Sequence, residues 1–380
     1  MESRVAEWEH IIRNELRYKL DMEIALLRSG IRHLCLDEAL LLQKRNQLCP
    51  IAKLPPEILS EIFITAAAQE YRRTSRSKEA TTVVPLILSR ICSDWRQIAL
   101  GLSEIWASFH YRVATRDVIK QAGLLSQWLR RAGSRLLTIR LSFRDEQAWV
   151  HSCSTVIIDA LAPYSRQWRD LDLVVTNTWL ERLYHLHESM DSLQSLSIRP
   201  VAWVRQTEMF ATAPKLRKVE FMTRHFSAFT LPWVQLTTAT IHFPSVYDAH
   251  TTLQRCPNLT SCHFKSVDSI HALTFFAPLS HGKLELLEIA VDTDRDIPFV
   301  TSFVNALEFP RLRRLDLSLP AQYEDPFPLV ETLIERSHCY LQSVNIGGPD
   351  LSGDAMTEFI LRNSECIRRV TNNIPQDDEN

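Results

Sequence analysis

After residue 130 the pattern L-x-x-L-x-L, with any large apolar residue allowed, recurs nine times, and it constrains this 380-residue chain more than any other feature. The triplets are Leu136/Ile139/Leu141, Trp168/Leu171/Leu173, Leu193/Leu196/Ile198, Leu216/Val219/Phe221 and Leu236/Ala239/Ile241. Leu259/Cys262/Phe264, Leu284/Leu287/Ile289, Leu312/Leu315/Leu317 and Leu341/Val344/Ile346 follow. Their first positions lie 32, 25, 23, 20, 23, 25, 28 and 29 residues apart. Each unit reads as a short strand and a helical or irregular return. Alone, such a unit cannot bury its own apolar residues, so neighbours must stack. Ile367 and Val370 start a tenth, capping unit.

Three units begin alike, with Ala213-Pro-Lys-Leu, Cys256-Pro-Asn-Leu and Phe309-Pro-Arg-Leu. The spacing and this opening resemble leucine-rich-repeat arrays. The resemblance implies an α/β fold in which short parallel strands with helical returns form a solenoid. One departure is consistent: the asparagine that family places after the second strand leucine is absent, and Arg144, Thr176, Val201, Arg224, Pro244, Val267, Asp292, Pro320 and Pro349 stand there instead. An irregular array with uneven helices is expected, its turns satisfied by other means.

Upstream, Pro55 and Pro56 stop one helix and preset the first turn of another. From there Leu59, Ile62, Phe63 and Ala66 give one apolar face. Leu88, Ile91, Cys92, Trp95, Ile98, Ala99 and Leu102 give a second. These residues resemble an F-box. Leu54, Pro55, Glu57, Ile58, Leu59, Ile62 and Phe63 match its opening; Ile91, Cys92, Trp95, Ala99, Leu102 and Trp106 match its second half. The resemblance covers about a sixth of the chain. It implies docking on the Skp-type linker subunit of an SCF ubiquitin ligase, and through it on a cullin. The docking residues would be Leu54, Pro55, Pro56, Ile58, Leu59, Ile62, Phe63, Leu88, Cys92, Trp95 and Ile98. The plainer reading is a helical hairpin packed within its own domain.

A polar run from Gln69 to Val84, with Tyr71, Arg72, Arg73, Arg76 and Lys78, separates the two half-motifs. Its composition reads as a solvated loop; a basic nucleic-acid or phosphate contact is the alternative. Residues 4 to 48 read as helix. Leu20, Ile24, Leu27, Ile31, Leu34, Glu38, Leu41, Arg45 and Leu48 alternate by four and three, a heptad seam with two charges in it. Either this helix pairs with a second copy or another partner, or it breaks near Ser29-Gly30 and folds back. The hairpin is the preferred reading, because Gly30 costs about 1 kcal/mol inside a helix.

The net charge of −2 offers no general field for nucleic acid or an anionic membrane. No stretch approaches the length of a membrane span, and the N-terminus lacks a signal-peptide core. The eight cysteines show no metal or redox spacing and read as reduced, buried thiols in a cytoplasmic or nuclear protein. Asp292-x-Asp294-x-Asp296 imitates a calcium loop, yet Ile297 replaces its glycine and Phe303 its final Glu. His185, His187 and Glu188 lack zinc-helix spacing. No catalytic motif, metal site or cofactor is indicated.

The expected division is 1–49 (N-terminal helix, hairpin or coiled coil), 50–112 (F-box with polar insertion 69–84), 113–374 (repeat array) and 375–380 (acidic tail). The expected function is a substrate receptor that recruits a protein for ubiquitination, the alternative a repeat scaffold outside any ligase. Side chains between the strand leucines point outward, so Asp172, Glu220, His242, His263, Lys265, Glu288, Arg314 and Asp316 are the candidate contacts for an unidentified protein substrate.

Overall fold

A computed structural model describes residues 2–74, 81–150, 154–184, 186, 190–201, 205–269, 276–323 and 325–373. The chain divides into two compact units, one of Met1–Ala67 with Val83–Leu102, the other of Ala68–Thr82 with Ser103–Asn380.

The first unit is helical. α1 runs from Glu2 to Gln47 as one helix, so the break expected at Ser29-Gly30 does not form. One glycine costs too little to open a helix flanked on both sides by Ala, Leu, Arg and Glu. A 3₁₀ turn, Pro50–Lys53, leads into α2 (Pro56–Thr74), which starts where the paired prolines place it. The apolar stretch after the insertion is two helices rather than one, α3 (Val84–Ile91) and α4 (Ser93–Gly101). Cys92 makes the break. Its backbone is extended, and its sulfur accepts a hydrogen bond from Trp95 N at 3.5 Å, which caps α4. Leu59, Phe63, Ala67, Leu88 and Ala99 are buried, and the Phe63 and Trp95 rings meet at 4.9 Å.

The second unit is mixed α/β. Its strands are β1 (Ser108–Val113), β2 (Leu137–Phe143), β3 (Trp168–Val175), β4 (Ser195–Pro200), β5 (Lys218–Met222), β6 (Thr238–His242) and β7 (Ser261–Lys265). Then come β8 (Leu279–Ser280), β9 (Leu286–Ala290), β10 (Leu307–Glu308), β11 (Arg314–Ser318), β12 (Ser343–Gly347) and β13 (Val370–Asn373). Eleven of them form one open parallel sheet in chain order, while β8 and β10 pair separately. The repeat positions set the register. Ile139, Leu171, Leu196, Val219, Ala239, Cys262, Leu287, Leu315 and Val344 are successive Cα partners, and Val370 continues the row. All but Val370 are buried. A strand cannot slip by one residue without turning its member of this row to water.

The returns are uneven. α5 (Val118–Ala132), α9 (Val246–Arg255), α10 (Ile297–Asn305), α11 (Phe327–Ser337) and α12 (Gly353–Arg362) are full helices, whereas α6 (Glu146–Val150), α7 (Val156–Leu161) and α8 (Asn177–Leu183) are short. At three of the positions that lack the expected asparagine, the backbone itself ties the turn to the last residue of an adjacent strand. Arg144 N donates to Val113 O and Val201 N to Val175 O, both at 2.9 Å, and Val267 N donates to Ala290 O at 2.8 Å. The Asp292–Asp296 run is a local cap, with the Asp296 carboxylate accepting from Ser269 N at 2.8 Å and Thr293 Oγ1 at 2.5 Å. The tail 375–380 and His185, His187 and Glu188 lie outside the described residues.

Candidate functional sites: a helical face and a strand face

In the first unit the expected docking residues separate into two sets. Leu59, Phe63 and Leu88 belong to its core, and Cys92, Trp95 and Ile98 are half-buried. Leu54, Pro55, Pro56, Ile58 and Ile62 face water, with Leu54, Ile58 and Ile62 at 36, 49 and 42% exposure. Steps of four carry Ile58 and Ile62 along one side of α2. The sequence reading overlooked Ile87, which with Ile91 repeats this on α3 at 53 and 50% exposure. Their i, i+4 spacing was the available signal. Apolar side chains on both α2 and α3 are thus left in water.

In the second unit the polar positions of β3 to β12 lie beside one another. Asp172 and Glu220 are both register partners of Ser197, which stands between them. Arg140 Nε lies 2.9 Å from Asp172 Oδ2. Burial nevertheless pushes the Asp172 carboxyl above its usual range, with Arg140 opposing. His242 Nε2 stands 3.5 Å from Glu220 Oε1, and this contact holds the Glu220 carboxyl below its usual range. His263 Nδ1 meets Glu288 Oε2 at 2.6 Å, Lys265 Nζ lies 4.0 Å from Glu288 Oε1, and Arg314 Nη2 lies 2.8 Å from Asp316 Oδ2. All eight expected substrate contacts are thus on this face, and each has an ionisable neighbour of the same chain. A ligand here would exchange partners rather than neutralise bare charges.

One end of the face departs from expectation. The insertion does not begin as a solvated loop, because α2 continues to Thr74 and Tyr71 is half-buried beside Asp172 and Asp170. Burial first, and those carboxylates second, push its phenol up to about 12. At the other end of the insertion Thr82 N donates to His110 O, and His110 N donates to Thr82 Oγ1, both at 2.9 Å. The buried His110 ring contacts Ser142 Oγ through Nε2 at 3.0 Å, and burial lowers its pKa to about 4. Tyr71, Thr82 and His110 were missed, since a polar run carries no periodicity that points to a distant strand. Arg72 and Arg73 are exposed; Arg76 and Lys78 lie outside the described residues.

The cysteines are less uniform than expected. Cys256, Cys262 and Cys339 are buried, and burial raises all three thiols, Cys256 to about 12 and Cys339 to about 11. Cys35 and Cys49 are exposed. Among the described residues no group of three His, Cys, Asp or Glu side chains could hold a metal ion, and no helix is long and apolar enough to cross a membrane.

No family model and no curated protein matches the chain. The functional reading therefore rests on the residues themselves and on where they stand.

Proposed function

We propose that the protein is an F-box substrate receptor that docks on the Skp-type linker subunit of an SCF ubiquitin ligase and presents a protein substrate to it. The observation that carries this reading is the division in and just before α2 and in α3: Leu59, Phe63 and Leu88 are buried in the unit, while Leu54, Ile58, Ile62, Ile87 and Ile91 remain in water. A hairpin serving only its own domain would cover Leu54 and Ile58. Fully burying such side chains is worth roughly 1.5–3 kcal/mol each, of which association and ordering costs leave a surplus as affinity.

The open parallel sheet, in this reading, is a leucine-rich-repeat solenoid whose strand face takes the substrate. Its contribution to rate is proximity, since it holds a substrate lysine near the charged ubiquitin carrier and needs neither a catalytic residue nor a cofactor. The compartment would be cytoplasm or nucleus, where the ligase and a chain of free thiols both belong. The alternative is a repeat scaffold that never meets a ligase.

The test is binding of the purified chain to the linker subunit, beside a Leu54→Ala, Ile58→Ala variant with unchanged circular dichroism. Binding that the variant loses supports the receptor. A folded wild-type chain that does not bind leaves the scaffold reading.

A further inference from the structure

The described seam of α1 is in water from end to end. Leu20, Leu27, Leu34, Leu41 and Leu48 form one line of it, and Ile24, Ile31, Glu38 and Arg45 the other; every one is exposed. Helices in water draw most of their stability from covering an apolar stripe, not from propensity. Since the helix is unbroken, it does not cover its own seam. We propose that α1 pairs with α1 of a second copy as an antiparallel two-stranded coiled coil, in the register where residue numbers of facing seam positions sum to about 65.

The charges within the seam select both the partner and the direction. In a parallel pair each seam position meets itself, so Glu38 would face Glu38 and Arg45 would face Arg45, two buried like-charge layers. Turned antiparallel, Ile31 faces Leu34 of the other copy, Ile24 faces Leu41, and the two polar layers fall apart. Glu38 then lies across from Leu27 with Arg28 beside it, and Arg45 lies across from Leu20 with Asp21 beside it. Outside the seam, Glu23 faces Lys44. Each of these contacts occurs twice about the two-fold axis, as an isologous interface requires. Sliding by one heptad spoils the match, because it brings Arg45 to Arg28 in one direction and Glu38 to Asp21 in the other. The complement to this helix is thus written in the same helix, which is why the occupant is a second copy and not a different chain. The two copies of α2 would begin near opposite ends of a rod of about 70 Å, from a rise of about 1.5 Å per residue.

Sedimentation of the full chain should return a two-chain mass, with a spin label at Cys49 in a Cys35→Ser background separated from its twin by about 50 Å, as antiparallel register demands. Glu38→Arg should weaken the dimer by about tenfold or more, because it sets a second guanidinium against Arg28, and adding Arg28→Glu should restore it. Helix content by circular dichroism checks that these surface changes leave the chain folded. A single-chain mass at all accessible concentrations overturns the proposal. So does a short Cys49 separation, which would show parallel helices, or a Glu38→Arg effect that Arg28→Glu fails to reverse.

Discussion

In the second unit nearly every strand leucine is closed over by the next strand, whereas in the first unit α1, α2 and α3 carry Leu27, Ile58 and Ile87 into water. The difference follows from repetition. A repeat supplies its own cover, since the surface that one unit leaves open is the surface the next unit fills. Three unlike helices have no next copy to rely on. Apolar side chains in them stay in water, along the seam of α1 and on the faces of α2 and α3.

The largest test of this contrast is Phe264→Ala. Phe264 is fully buried on β7 and meets the Phe303 ring at 6.4 Å, so its loss should cost about 3–5 kcal/mol in urea unfolding of the second unit. A cost near that of a surface site would break the comparison.

Acid should strain the second unit through His110. Its folded pKa is about 4 against 6.5 for the free side chain, because burial disfavours the charged ring and Arg140 adds to this. The unfolded chain therefore takes up the proton first as pH falls. The stability from this group is whole above 6.5 and is lost between 6.5 and 4, on the order of 3 kcal/mol in all. Urea midpoints across that window should slope, and His110→Gln should flatten the slope while removing the ring contact with Ser142 Oγ.

For the first unit the expectation is reversed. Ile58→Ala with Ile62→Ala should shift stability by no more than about 0.5 kcal/mol per site, as at other surface positions. A larger loss would mean that this face is structural, and would sharpen the contrast in favour of the scaffold. Above that, Ser245→Ala should cost about 1 kcal/mol by removing the Oγ that accepts from Asp248 N at 3.1 Å in the capping box. Thermal melts of the pair of proteins measure it.

Much of the second unit could be read from the chain alone. The nine triplets placed β2 to β7, β9, β11 and β12 in the order in which they pair. The outward positions Asp172, Glu220, His263, Glu288 and Asp316 shared a face because alternate residues must. Their pairing with Arg140, His242, Lys265 and Arg314 was not legible, because it joins residues on different strands or follows from side-chain reach. In the first unit the paired prolines placed the start of α2, whereas the expected docking set mixed core residues such as Leu59 with exposed ones such as Ile58.

What the sequence determined by itself is periodicity: where strands recur, where Pro56 starts a helix, and which residues share a side. Periodicity is local, enforced by backbone geometry over a few residues. What only the tertiary structure decided is cover. It kept α1 unbroken, split α3 from α4 at Cys92, buried Leu59 while leaving Ile58 beside it in water, and laid Tyr71 against Asp170 and Asp172. Cover depends on which distant surface arrives, and no short stretch of chain encodes that alone.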